Sequence, residues 1–222
     1  MKRILVIAPH PDDEVLGCGG TVAKRVLAGD EAHLCVVTRA YAPDWPEDEI
    51  TERRKEVLKV NKILGIKKTH FLDMPTVKLD TIPQKTLNEA ITRVVDMVKP
   101  QTVFLPFSYD VNRDHRIVFD AALVALRPKP DSVTRKILCY ETLSETEWAP
   151  PFTHTAFVPN VYEDISETLA VKLKAMSVYK SELKEYPHPR SLEAIEARAK
   201  IRGSTAGVPA AEAFILIREV LV

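Results

Sequence analysis

The chain has 222 residues, 45% hydrophobic and 28% charged, which excludes a disordered or fibrous chain and suits one globular domain spanning 1–222. Its 31 Lys plus Arg balance its 31 Asp plus Glu, and a formal net charge of zero argues against nucleic acid or an anionic membrane as the main partner. No apolar run approaches the roughly 20 residues that a spanning helix needs.

Met1 to Ile7 begins like a signal peptide, but its apolar stretch runs directly into Pro9, His10 and Pro11 and leaves no room for a cleavage site. Ile4 to Ala8 therefore reads as a first strand, continuously apolar as a strand buried on both faces should be. A polar turn over His10 to Asp13 follows, then a helix from Glu14 to Leu27 ended by Gly29-Asp30. His33 to Thr38 is a second short strand. Tyr41 to Asp48 is a loop, and the acidic run after Pro46 opens a helix that continues to Leu64 and closes at Gly65. Thr69 to Leu72 is a strand, and Pro83 to Val98 is an amphipathic helix with Leu87, Ile91, Val94, Val95 and Val98 on its inward face. Val103 to Pro106 is the next strand, polar Ser108 to Arg116 follows it, and Ile117 to Leu126 is helical.

This alternation predicts an α/β fold with a mostly parallel sheet and right-handed crossovers. The last third is less regular: strands over Lys136 to Tyr140, Thr153 to Val158 and Glu212 to Arg218, and helices over Glu163 to Leu183 and Ser191 to Gly203. The cysteines, Cys18, Cys35 and Cys139, form no C-x-x-C pair, and buried thiols in a reducing, cytoplasmic setting are expected.

Ligands of open parallel sheets bind at the carboxyl ends of the strands. That rule selects the loops His10 to Asp13, Thr38 to Asp48, Asp73 to Val77 and Ser108 to His115. In His10-Pro11-Asp12-Asp13-Glu14, His10 and Asp13 stand three positions apart and can converge on a borderline divalent metal such as zinc. Asp12 then projects differently and is free to accept a proton. The plainer alternative is a capping turn. It leaves unexplained three adjacent acids that repel one another unless a cation neutralises them. In Asn112-Arg113-Asp114-His115, His115 is a third ligand that leaves a position open for water, and Asp114 is an acid behind the ligands. Alone, His115 reads as an exposed residue opening the next helix; the first motif is what favours the ligand. The glycines of Gly17-Cys18-Gly19-Gly20 do not make a dinucleotide site, because they follow an acidic turn and no acid ends the second strand. Close packing of the first helix on the sheet is expected instead.

The string A-P-H-P-D-D-E-V-L-G-C-G-G-T closely resembles the opening motif of the PIG-L/LmbE-like N-acetylglucosaminyl de-N-acetylases. Glu52-Arg53-Arg54-Lys55-Glu56 resembles the family's R-x-x-E helix, and Asn112-Arg113-Asp114-His115 its H-P-D-H-type motif. His188-Pro189-Arg190-Ser191, Arg202-Gly203 and Ala211-Glu212-Ala213-Phe214 resemble the tail of the branch that includes bacillithiol-pathway deacetylases. The resemblance implies a Rossmann-like three-layer sandwich, zinc held by His10, Asp13 and His115, and Asp12 as general base. It also implies an N-acetyl sugar substrate, Arg53 as a sugar contact and a homo-oligomer, a trimer or hexamer. One departure stands out. Asn112 replaces a His that stabilises the oxyanion or protonates the leaving amine, and an amide side chain cannot supply a proton. Either Asp12 acts as both base and acid, or His188 enters the site from the tail.

Overall fold

A computed structural model describes residues 1–221. Its strands are β1 (Arg3–Ala8), β2 (Glu31–Arg39), β3 (Lys68–Pro75), β4 (Thr102–Leu105), β5 (Lys136–Tyr140), β6 (Val161–Asp164) and β7 (Ala211–Glu219). Its α-helices are α1 (Asp13–Leu27), α2 (Glu47–Leu64), α3 (Gln84–Val98), α4 (Arg113–Ala125), α5 (Leu169–Met176) and α6 (Leu192–Ala206). The strands form a seven-stranded sheet in the order β3-β2-β1-β4-β5-β7-β6. The first five in that order run parallel, and β7 is antiparallel to both β5 and β6.

The two-residue period of the strands builds the layers. In β1, Ile4, Val6 and Ala8 face a core made with α1, α2, α5 and α6. Leu5 and Ile7 face the opposite core, made with α3 and α4. The expected sandwich of helices on both sides of a mostly parallel sheet is therefore present. The chain runs outward from β1 to β2 and β3, then returns to place β4 on the other side of β1. The crevice at the carboxyl ends of β1 and β4 is thus the topological switch point, where such sheets bind ligands.

The glycine cluster packs as expected. A Cβ on Gly17 would lie 2.3 Å from the Tyr140 ring, and one on Gly20 would lie 2.8 Å from Ile165. Helix α1 also breaks at Cys18, whose φ of −149° is not helical. The Glu212 carboxylate caps the resumed helix, accepting from the amides of Gly20 at 2.9 Å and Thr21 at 2.7 Å. Lys172 neutralises it at 2.6 Å and donates to the Leu16 carbonyl on the other side of the break.

Three expectations are corrected. No strand forms over residues 153–158. Pro150, Pro151 and Pro159 flank that segment and cannot donate to a ladder, and the strand beside β7 starts at Val161 instead. The long helix expected from Glu163 to Leu183 shrinks to Leu169–Met176, because Glu163 and Asp164 pair with β7 and the chain turns after Met176 to deliver Tyr179 beneath the site. Helix α4 begins at Arg113, four residues earlier than Ile117, since Asn112 caps it by accepting from the Asp114 amide at 3.0 Å. No helix among the described residues is long and apolar enough to cross a membrane.

Candidate metal centre

The loop after β1 is fixed before it reaches the site. The Pro9 carbonyl accepts from both the amide and the hydroxyl of Thr38, at 2.9 and 2.8 Å. Asp12 then adopts φ 106° and ψ −27°, a left-handed backbone seldom seen outside glycine. The Glu14 carboxylate holds it there, accepting the Asp12 amide at 3.1 Å, and the Tyr179 hydroxyl donates to the other Glu14 oxygen at 2.5 Å. Burial raises Glu14 to about 7. The Asp12 side chain makes no capping hydrogen bond, so the capping-turn alternative is not what this turn does.

His10, Asp13 and His115 each offer one ligand atom, and these atoms all lie within 4.8 Å of one another. The Nδ1 atom of His10 and the Nε2 atom of His115 are each 3.4 Å from Asp13 Oδ2. The opposite ring nitrogens are anchored. His10 Nε2 meets Asp114 Oδ2 at 3.1 Å, and His115 Nδ1 meets Asp110 Oδ2 at 2.8 Å. Asp110 in turn accepts the Thr146 hydroxyl at 2.6 Å, and Asp114 accepts the Val77 amide at 2.7 Å. Carboxylates of this kind fix the tautomer and aim the free nitrogen of a metal-binding histidine.

A divalent cation fits this arrangement on two observations. His115 Nε2 is buried with no hydrogen-bond partner among the described residues, although such atoms are normally satisfied. The electrostatics also call for positive charge. Burial pushes His115 down, yet Asp13 and Asp110 overcome it and hold the imidazole well above its ordinary range. Asp13 lies well below the carboxylate range despite its burial, because His115 and His10 stabilise its charge. Metal binding to such a group displaces protons from its ligands. Asp12 is pushed the other way, well above its ordinary value, by burial and then by Asp13 and Glu182, with Arg190 opposing.

A cleft of about 360 Å³ opens beside this cluster. Asp12, Asp13, His10, Arg53 and Asn112 all line it, together with apolar Trp45, Val57, Phe71 and Leu143. Arg53 is ion-paired rather than merely solvated, with Glu182 at 2.8 Å. Asn112 reaches the cleft although its Oδ1 caps α4. His188 does not line the cleft, which corrects the expectation that it enters from the tail. Its Nδ1 accepts the Arg190 amide at 3.0 Å, and its ring packs edge-on against Trp148 at 5.5 Å. That turn sends in Arg190 instead, which lies 2.7 Å from Glu182 and 3.7 Å from Asp12. Sequence reasoning did not single out Asp110, Glu182 or Tyr179, and it named Arg190 only as part of the tail motif around His188. Asp110 alone carried a local signal, as an acid in the same strand-end loop as His115.

The PIG-L family model, described as GlcNAc-PI de-N-acetylase, matches residues 5–126. The chain is 33% identical to the uncharacterized deacetylase YaiS of Escherichia coli, over 81% of this chain and 91% of YaiS. It is 30% identical to the diacetylchitobiose deacetylase of Thermococcus kodakarensis, over 83% of this chain and 72% of that protein. Among solved structures, the conserved protein TT1542 of Thermus thermophilus superposes with a TM-score of 0.79 at 28% identity, over 100% of this chain and 97% of that one.

Proposed function

The chain belongs to the PIG-L family of de-N-acetylases, and from that premise we propose that it is a metal-dependent hydrolase that removes the acetyl group from an N-acetylated amino sugar or its conjugate. The observation that carries this reading is the convergence of His10, Asp13 and His115 beside a buried carboxylate, Asp12, that takes no part in the triad. Two imidazoles and one carboxylate suit zinc and leave a coordination position open. When bound, such a metal polarises an acyl carbonyl and lowers the pKa of water towards roughly 7.

The protein's own groups do the rest. Asp12, held at 3.7 Å from Arg190 and fixed by the Glu14–Tyr179 strut, accepts a proton from the attacking water. Asn112 lines the cleft with its Oδ1 on the Asp114 amide, and its side-chain NH2 donates a hydrogen bond to the oxyanion in this reading. Arg53 and Arg190, clamped on Glu182, present guanidinium edges to substrate hydroxyls. The cleft volume of about 360 Å³ lies at the small end of ligand pockets, which suits one or two sugar units with apolar contacts from Trp45 and Phe71.

Acetate release from a panel tests this reading. The panel sets N-acetylglucosamine, diacetylchitobiose and N-acetylglucosaminyl conjugates against simple N-acetyl amines of similar size. Turnover should favour the sugars. Equal or better turnover of the sugar-free amides would contradict the substrate class, and no acetate from any compound would contradict the hydrolase itself.

A further inference from the structure

Amide hydrolysis needs a proton for the departing nitrogen, because an amide anion is too basic to leave. Few cleft groups can provide one. His10 and Asp13 face the metal position. Asp73 is paired with Arg54 at 3.3 Å, and Glu182 lies between Arg53 and Arg190 at 2.8 and 2.7 Å. Asn112 has no transferable proton, and His188 is outside the cleft. One carboxyl group is left besides that of Asp12. Glu145 lines the cleft, half-buried, and its carboxyl group has no hydrogen-bond or ion-pair partner among the described residues.

The turn that carries Glu145 is built to present it. It follows the carboxyl end of β5, and Ser144 adopts φ 73°, a strained conformation for a residue with a side chain. Local bonds keep it there: the Ser144 amide donates to Glu147 Oε1 at 2.7 Å, and the Thr142 amide to the Thr146 hydroxyl at 2.8 Å. The turn is then fastened to the loop that leads into α4, the helix carrying His115. Thr146 donates to Asp110 Oδ1 at 2.6 Å, and the Val111 amide donates to the Glu145 carbonyl at 3.1 Å. Burial pushes the Glu145 carboxyl above its ordinary range, which favours the protonated form; Asp13 and Asp110 add to this, and His115 and His10 oppose it.

We propose that Glu145 is a second catalytic residue, the acid that protonates the departing amine in the cleft it shares with Asp12. The proposal rests on the deacetylase reading. Water loses one proton to Asp12 as its oxygen bonds to the acyl carbon. The C–N bond then breaks, the nitrogen takes the Glu145 proton, and acetic acid and free amine leave. Loss of the Asp12 proton to solvent and uptake of one by Glu145 restore the resting enzyme.

Wild type, Glu145→Gln and Glu145→Asp should be compared on an N-acetyl sugar and on 4-nitrophenyl acetate, whose leaving phenolate needs no proton. Glu145→Gln should lose about 10²- to 10⁴-fold in kcat on the amide. It should change only a few-fold on the ester, keep its full metal content, and lose the alkaline limb of the amide pH profile. Glu145→Asp should recover part of the amide rate. An equal loss on both substrates, an unchanged amide rate, an intact alkaline limb or a loss of metal would each overturn the proposal. A wild-type enzyme that releases no acetate from any N-acetyl sugar would overturn the deacetylase reading, and the role of Glu145 with it.

Discussion

Asp12→Ala should retain its metal and lose about 10²- to 10⁴-fold in kcat, with KM little changed. The separation of the two effects follows from the backbone. Asp12 and Asp13 are neighbours, yet the left-handed conformation at Asp12, φ 106°, sends the two carboxylates to different places. Asp13 joins His10 and His115, while Asp12 lies against Arg190 at 3.7 Å. Removing the Asp12 carboxylate therefore removes a proton acceptor without opening the ligand set. Alanine tolerates a positive φ poorly, so Asp12→Asn is the better-folded companion: asparagine accepts left-handed backbone and cannot take the proton. Both variants should show the same loss. Elemental analysis provides the check, and metal loss in Asp12→Asn would contradict the assigned role.

His10→Ala should lose both metal and turnover. His10 is partly exposed at the cleft wall, with 19% of its side chain accessible, so its removal leaves no buried cavity, unlike removal of fully buried His115. The substitution deletes one of three ligand atoms and releases Asp114 from its 3.1 Å contact. Losing an outer partner of a metal ligand typically costs about 10- to 100-fold in affinity. Losing a ligand as well should exceed that, and kcat should fall with occupancy. Circular dichroism should show an intact fold. Wild-type metal affinity in His10→Ala would remove His10 from the ligand set.

The parallel half of the fold was legible because its signals are local. Buried apolar runs such as Ile4 to Ala8 alternate with helical patterns of crossover length, and strand β5 has the bounds its sequence predicts, Lys136–Tyr140. The clustering of His10, Asp13 and His115 was legible for a similar reason: His10 and Asp13 sit in one turn, and the switch-point rule brings the segment of His115 beside it. The antiparallel edge was harder. β6 is a four-residue strand, Val161–Asp164, with no apolar alternation, and it exists because β7 offers it a partner. The residues behind the triad were mostly invisible for the same physical reason. Tyr179 meets Glu14 across 165 positions, and Arg190 reaches Asp12 from a turn whose sequence advertises His188 at least as strongly. Glu145 is one acid in an acidic stretch until the strained turn at Ser144 and the tie to Asp110 give it a direction.

On the proposed reading, acetyl removal depends on a divalent metal held by His10, Asp13 and His115. Acetate release from N-acetylglucosamine conjugates, measured on chelator-stripped protein titrated with zinc, tests it most directly. The expected result is no turnover in the stripped enzyme, recovery complete at a single equivalent of metal per chain, and no such recovery in His10→Ala. Full turnover after exhaustive stripping, or recovery unaffected by the loss of His10, would contradict it.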